Sequence, residues 1–322
     1  MNKRSGVLVF ALAVPCTAAA AAAPAAATYA VSWPGGSHVR LHVTTQLPAG
    51  DGVLAMAQSW PGDAEPVASG GWPALVRNLS VRDGRGDACV AVAKGSDGWQ
   101  LPSTCSGAVT LAYDVDYTIL QRSHWPAHRE AAFRDTDAVS IIGRSLFITR
   151  GATQPARVSF RVPHGWHVAT PWRADGGTAF SVQTTDDLVD NLIAFSRHPL
   201  RRMFVNGFEV SVLSFGPWRS REAIVEDTLR AAIRRYTTSM PVPRPQPYLV
   251  VLHPQDDTGG ESFRASFAMN ASVTGGPKRP AEWQGRLAHE IFHYWNGSGT
   301  ERYSAADVNA ALAVVDGDDG RP

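Results

Sequence analysis

Along the first two thirds of the chain, apolar and polar side chains alternate with a period of two. Val109, Leu111, Tyr113, Val115 and Tyr117 are interleaved with Thr110, Asp114 and Asp116, the pattern of a strand with one face in a core and the other in water. Val158, Phe160 and Val162 repeat it ahead of the turn Pro163-His164-Gly165. From Tyr29 to about His198 many such runs are punctuated by Gly, Pro and Asp clusters, which predicts a β-sandwich-like domain over residues 28–200. Beyond that point helical spacing enters, so residues 201–322 read as a second unit of mixed character. A strand around Phe208 to Phe215 leads through Gly216-Pro217 to Ser220, expected to N-cap a helix whose buried face carries Val225, Leu229, Ala232 and Tyr236. The apolar run Tyr248 to Leu252 suits a buried strand, Gly259-Gly260 a turn, and Ser262 to Met269 a second extended segment. A last helix, expected over residues 280–297, opens on Pro280, stops at Gly297 and buries Trp283, Leu287, Ile291 and Trp295. Ala305, Val308, Leu312 and Val315 could line one further short helix before a polar tail.

Composition changes this picture mainly by exclusion. The 322 residues carry a net charge of +1, which leaves no electrostatic footprint for nucleic acid or an anionic membrane. The basic start Asn2-Lys3-Arg4, the apolar run Gly6 to Val14 and the alanine-rich stretch ending near Ala27 form a signal peptide over residues 1–27. The expected location is therefore periplasmic or secreted. Pro15 breaks the apolar run well short of the roughly 20 residues needed to cross a bilayer, so no stable membrane span is expected. After cleavage Cys89 and Cys105 remain, an even pair in an oxidising compartment, and a disulfide between them follows.

One constellation carries chemistry. His289 and His293 stand four apart on the last helix, which stacks their imidazoles one turn above the other where both can reach one tetrahedral Zn2+. Glu290 sits beside them, placed to take a proton from a water that the metal has made acidic, the chemistry of peptide hydrolysis. Other histidine pairs read as structural: His124 and His128 are separated by Pro126, and His38 with His42 and His164 with His167 lack a third ligand nearby. Trp33-Pro34-Gly35 and Trp60-Pro61-Gly62 raise the thought of an aromatic platform for sugars, although turn residues with a packing ring are the better account of them. Serine-hydrolase, P-loop and dinucleotide signatures are missing.

The stretch Ala288-His-Glu-Ile-Phe-His-Tyr-Trp-Asn-Gly297 resembles the zinc helix of the glycyl aminopeptidase family of gluzincin metallopeptidases. Val162-Pro-His-Gly-Trp166 and Asp187-Leu-Val-Asp190 resemble the end of that family's N-terminal β-domain, and Tyr248 to His253 with Gly259-Gly260-Glu261 its strand and paired glycines. The resemblance implies an α+β chain, a β-sandwich-like domain followed by a thermolysin-like catalytic domain, acting on peptide substrates as a zinc aminopeptidase. It also offers Glu261 as a contact for a substrate amino group, against its reading as a solvated loop carboxylate. Two departures stand out. The family's Glu comes slightly later after the glycines and is followed by His, whereas here Glu261, Ser262 and Phe263 follow Gly260. The family's third ligand is a Glu on a later helix, whereas after His293 this sequence has only Glu301 and the aspartates Asp307, Asp316, Asp318 and Asp319. The catalytic domain is thus expected to be incomplete, with a shifted or cut reading frame near Gly297 as one cause. The rival expectation is a truncated or non-catalytic homologue that acts by binding.

Overall fold

The computed structural model describes residues 26–57, 70–118, 132–151, 153–240, 242, 247–254, 259–271 and 280–296. Of the four β-sheets among the described residues, three are layered face to face, two helices cover the outermost face of the third, and the small fourth is formed by Val53–Ala55, Gly98–Gln100 and Val92–Lys94. The first sheet has eight strands in the order Arg173–Gly176, Ala179–Val182, Ala156–Arg161, Ala27–Ser32, Arg40–Leu47, Val109–Asp116, Val76–Asp83 and Ala88–Cys89. Its inward residues, among them Tyr29, Val43, Tyr113 and Val158, pack on Val139, Ile141, Ile193 and Phe195 of a second sheet. That second sheet has four strands, His167–Ala169, Leu192–Ser196, Ala138–Ile142 and Ala132–Arg134. Cys89 and Cys105 form a disulfide at the far end of the first sheet, their Cα atoms 5.8 Å apart.

The middle sheet is buried on both faces, which is why Ala138–Ile142 shows no polar alternation. Its other face, Ala138, Ile142, Leu192 and Ala194, packs on Leu213, Phe215, Leu249, Val251 and Ala268 of a mixed five-stranded sheet. The order there is Arg201–Val205, Phe208–Ser214, Tyr248–His253, Ser266–Asn270 and Gly259–Ser262. Tyr248–His253 pairs in parallel with both of its neighbours, so its even residues Tyr248, Val250 and Leu252 face the helices while Leu249 and Val251 face the middle sheet. The uninterrupted apolar run follows from that double burial. The covering helices are Glu222–Ser239 and Pro280–Asn296, which bury Val225, Leu229 and Tyr236, and Trp283, Leu287, Ile291 and Trp295 respectively.

Local details differ from expectation at two places. Ser220 does not cap the first helix: it lies in a 3-10 turn over Gly216–Arg221, its Oγ donating to the Pro217 carbonyl at 2.8 Å, and the helix starts at Glu222. The Gly-Pro pair tightens the chain into that turn, which takes up the serine. Gly259-Gly260 is not a turn but the start of the edge strand, and the bend falls instead between Ser262 and Ser266, where the Phe263 N–H donates to the Ser266 carbonyl at 2.8 Å. The side chain of Asn191 reaches that bend and accepts from the Ala265 N–H there. The short helix expected near Ala305, residues 1–25 of the expected signal peptide, His124, His128 and Trp60 lie outside the described residues, whereas Ala27, the last residue of that expected segment, is already the buried first residue of the Ala27–Ser32 strand.

Polar groups fix the seam between the second and third sheets. Asn191 accepts from the Ala265 N–H at 2.8 Å and the Ser266 hydroxyl at 3.2 Å, and donates to the Asp187 carbonyl at 2.9 Å. Arg144 pairs with Asp190 at 2.5 Å, and the Arg264 guanidinium reaches Asp187 at 3.1 Å. Further along, Ser140 Oγ lies 2.8 Å from His253 Nε2, while His253 Nδ1 is 3.1 Å from Asn270 Oδ1. Among the described residues no helix is long and apolar enough to cross a membrane.

Candidate metal centre

The Pro280–Asn296 helix is held by its apolar stripe, and the seating is reinforced by Tyr236 of the neighbouring helix, whose hydroxyl donates to the Ala288 carbonyl at 3.0 Å. With Leu287, Ile291 and Trp295 fully buried, helical geometry directs His289 and His293 to a half-buried flank. Their Nε2 atoms are 3.1 Å apart and the rings meet nearly at right angles, 85° between planes. Two nitrogens on one tetrahedral zinc, each at about 2.0–2.1 Å, stand about 3.3 Å from one another. The separation of the pair is thus close to that of two ligands on one metal ion. Burial lowers the His293 pKa, Glu290 works against that and the neighbouring His289 adds to it, so the neutral, ligand form is favoured.

Glu290 points to the adjoining flank, where only 4% of the residue remains exposed. Its carboxylate is met by the edge strand Gly259–Ser262: Ser262 Oγ lies 2.8 Å from Oε2 and 3.0 Å from the Glu290 carbonyl oxygen. Arg286, one turn back on the same helix, brings a guanidinium nitrogen to 3.8 Å of Oε1. Strand alternation turns Glu261 to the face opposite Gly260 and Ser262, so it is not part of this cluster. The structure thus gathers His289, Glu290 and His293, adds Ser262 and Gly260, and leaves Glu261 on the other side. Sequence reasoning singled out neither Ser262 nor Gly260 for this role. Their spacing of two on a strand puts both on one face, a signal hidden once the glycines are read as a turn.

Among the described residues no set of three metal-binding side chains converges. Glu301, Asp307, Asp316, Asp318 and Asp319, the carboxylates available as a third ligand, lie outside the described residues. Of the remaining histidines, His42 is engaged with Asp114 at 2.8 Å, while His164 and His167 are exposed. Trp33 is 2% exposed, stacked on Phe195 and edge-on to Trp166, so it is a packing ring and not a surface platform.

The profile of the Peptidase M61 N-terminal domain matches residues 28–197, more than half of the chain. The chain belongs to the peptidase M61 family. No curated protein matches it in sequence. Among solved structures, the M61 chain is similar to an aminopeptidase N family protein from Idiomarina loihiensis, with 17% identity and a TM-score of 0.66. The match covers 84% of this chain and 48% of the other, so the M61 chain spans about half the length of that relative. At this identity the likeness is one of fold: β-rich layers with few helices, in the arrangement of an aminopeptidase N family protein.

Proposed function

We propose that this peptidase-family chain is an exported, zinc-dependent aminopeptidase. In this reading residues 28–200 are the β-domain and residues 201–322 belong to a thermolysin-like, gluzincin catalytic domain. His289 and His293 hold the metal and Glu290 is the general base. The observation that carries the reading is the pair of Nε2 atoms 3.1 Å apart, with a buried carboxylate on the next residue of the same helix. Bound zinc would supply Lewis acidity, polarising a peptide carbonyl and making water acidic near neutral pH. Glu290 takes up the proton of the attacking water at its carboxylate and can deliver it to the leaving nitrogen. Among the described residues the Gly259–Ser262 strand ends its sheet, and an extended peptide adding along that edge would pair with the strand that also meets Glu290. Location in the periplasm or outside the cell rests on the basic, apolar and alanine-rich start of the sequence.

The test is a purified chain assayed for zinc stoichiometry and for hydrolysis of amino-acid anilides, beside Glu290→Gln. One zinc per chain, lost in a His289→Ala, His293→Ala double variant, and turnover abolished by Glu290→Gln are the expected results. Equal inertness of wild type and Glu290→Gln in metal-free and zinc-loaded preparations would overturn the enzyme reading.

A further inference from the structure

Glu290 ends in a torsion that is intrinsically soft, because rotation about its last carbon–carbon bond has broad wells. A general base works only while its carboxylate is held in one orientation, so something outside the side chain must hold it. Two residues of the edge strand face it. Gly260 lies so close that a Cβ there would come 2.3 Å from Oε1 and 2.4 Å from Cδ. Gly260 does not adopt the left-handed backbone, so what it supplies is space: a Cβ there would push the Glu290 carboxylate out of its present place. Two residues on, Ser262 Oγ reaches Oε2 at 2.8 Å and the Glu290 carbonyl at 3.0 Å. A hydroxyl has one proton, and a carboxylate oxygen is a stronger acceptor than a neutral carbonyl.

We propose that Ser262 is a positioning residue for the general base: its hydroxyl donates to Oε2 of Glu290 and fixes the plane of the carboxylate, while Gly260 provides the clearance in which that plane can lie. The inference rests on the reading of Glu290 as general base. A hydrogen bond to a charged group contributes about 1.5–3 kcal/mol, which corresponds to roughly 10–100-fold in rate if it is spent on orientation.

The experiment compares wild type, Ser262→Ala, Ser262→Thr and Gly260→Ala as zinc-loaded full chains. Three quantities are measured: zinc stoichiometry, kcat and KM on an amino-acid anilide, and the carboxyl 13C resonance of Glu290 in chains labelled at glutamate, assigned by its loss in Glu290→Gln. Ser262→Ala should keep its zinc and its KM, lose at least about tenfold in kcat and shift the Glu290 resonance. Ser262→Thr, which retains the hydroxyl, should restore both, and Gly260→Ala should shift the resonance by displacing the carboxylate. A Glu290 resonance unmoved in Ser262→Ala overturns the proposal, as does a kcat loss that the threonine fails to rescue. If wild type itself binds zinc but turns nothing over, the enzyme reading fails, and the resonance still decides whether Ser262 holds the carboxylate.

Discussion

Replacing Asn191 by alanine should unsettle the edge strand from a distance. Asn191 is 1% exposed and belongs to the second sheet's border, yet its Oδ1 receives the Ala265 N–H and the Ser266 hydroxyl in the bend that connects the edge strand to its neighbour. Its Nδ2 donates to the Asp187 carbonyl, which also accepts from Trp172 Nε1 at 2.9 Å and so stays satisfied after the change. Two buried donors are stranded, at about 1–3 kcal/mol each, for a loss of about 4 kcal/mol. Against a typical stability of about 5–15 kcal/mol that is large. The assay is urea unfolding followed by tryptophan fluorescence, with anilide turnover measured well below the midpoint. The expected result is a lower midpoint together with reduced turnover, because the bend sets where Ser262 meets Glu290. A loss under about 0.5 kcal/mol would refute the reasoning, since it would mean that both donors find other partners.

Other consequences can be checked more simply. Converting Cys89 and Cys105 to alanine together removes a cross-link between residues 16 apart, and should cost about 3 kcal/mol by denaturant titration, an effect that reductant reproduces in wild type. Tyr236→Phe deletes the hydroxyl that donates to the Ala288 carbonyl while keeping the ring, and should lower stability by about 1 kcal/mol in the same titration. Burial alone would raise the Asp116 carboxyl, but hydrogen bonds from Thr118 and Arg40 and the Arg40 charge outweigh it and hold the pKa below its ordinary value. That contribution is complete above the ordinary carboxylate range and is lost as pH falls through the depressed value. Asp116→Asn should therefore lower stability at neutral pH and flatten its acid dependence, as read by circular dichroism from pH about 7 to about 2.

Much of the architecture could be read from the residues because burial on one face leaves a period. Val109–Asp116 alternates buried and water-facing residues, and Ala156–Arg161 does the same. The two long helices declared themselves through Val225, Leu229 and Tyr236, and through Leu287, Ile291 and Trp295. Alternation is silent where both faces are covered: Ala138–Ile142 and Leu192–Ser196 are buried throughout, so nothing in their pattern announces a sheet lying between two others. The surroundings of Glu290 were hidden for a different reason. Paired glycines favour turns on conformational grounds, whereas here the second leaves room for the carboxylate packed against it, a fact of tertiary approach that local propensity does not contain.

The Ala27–Ser32 strand lies inside its eight-stranded sheet, antiparallel to Arg40–Leu47 on one side and parallel to Ala156–Arg161 on the other. As the chain emerges from its N-terminal end, the first partner follows almost at once, while the second arrives about 130 residues later. Throughout that interval one backbone edge stays uncovered and able to pair with any passing strand. Completion of the sheet is therefore a late, long-range event, and it is during synthesis and refolding that this chain should be most prone to aggregate.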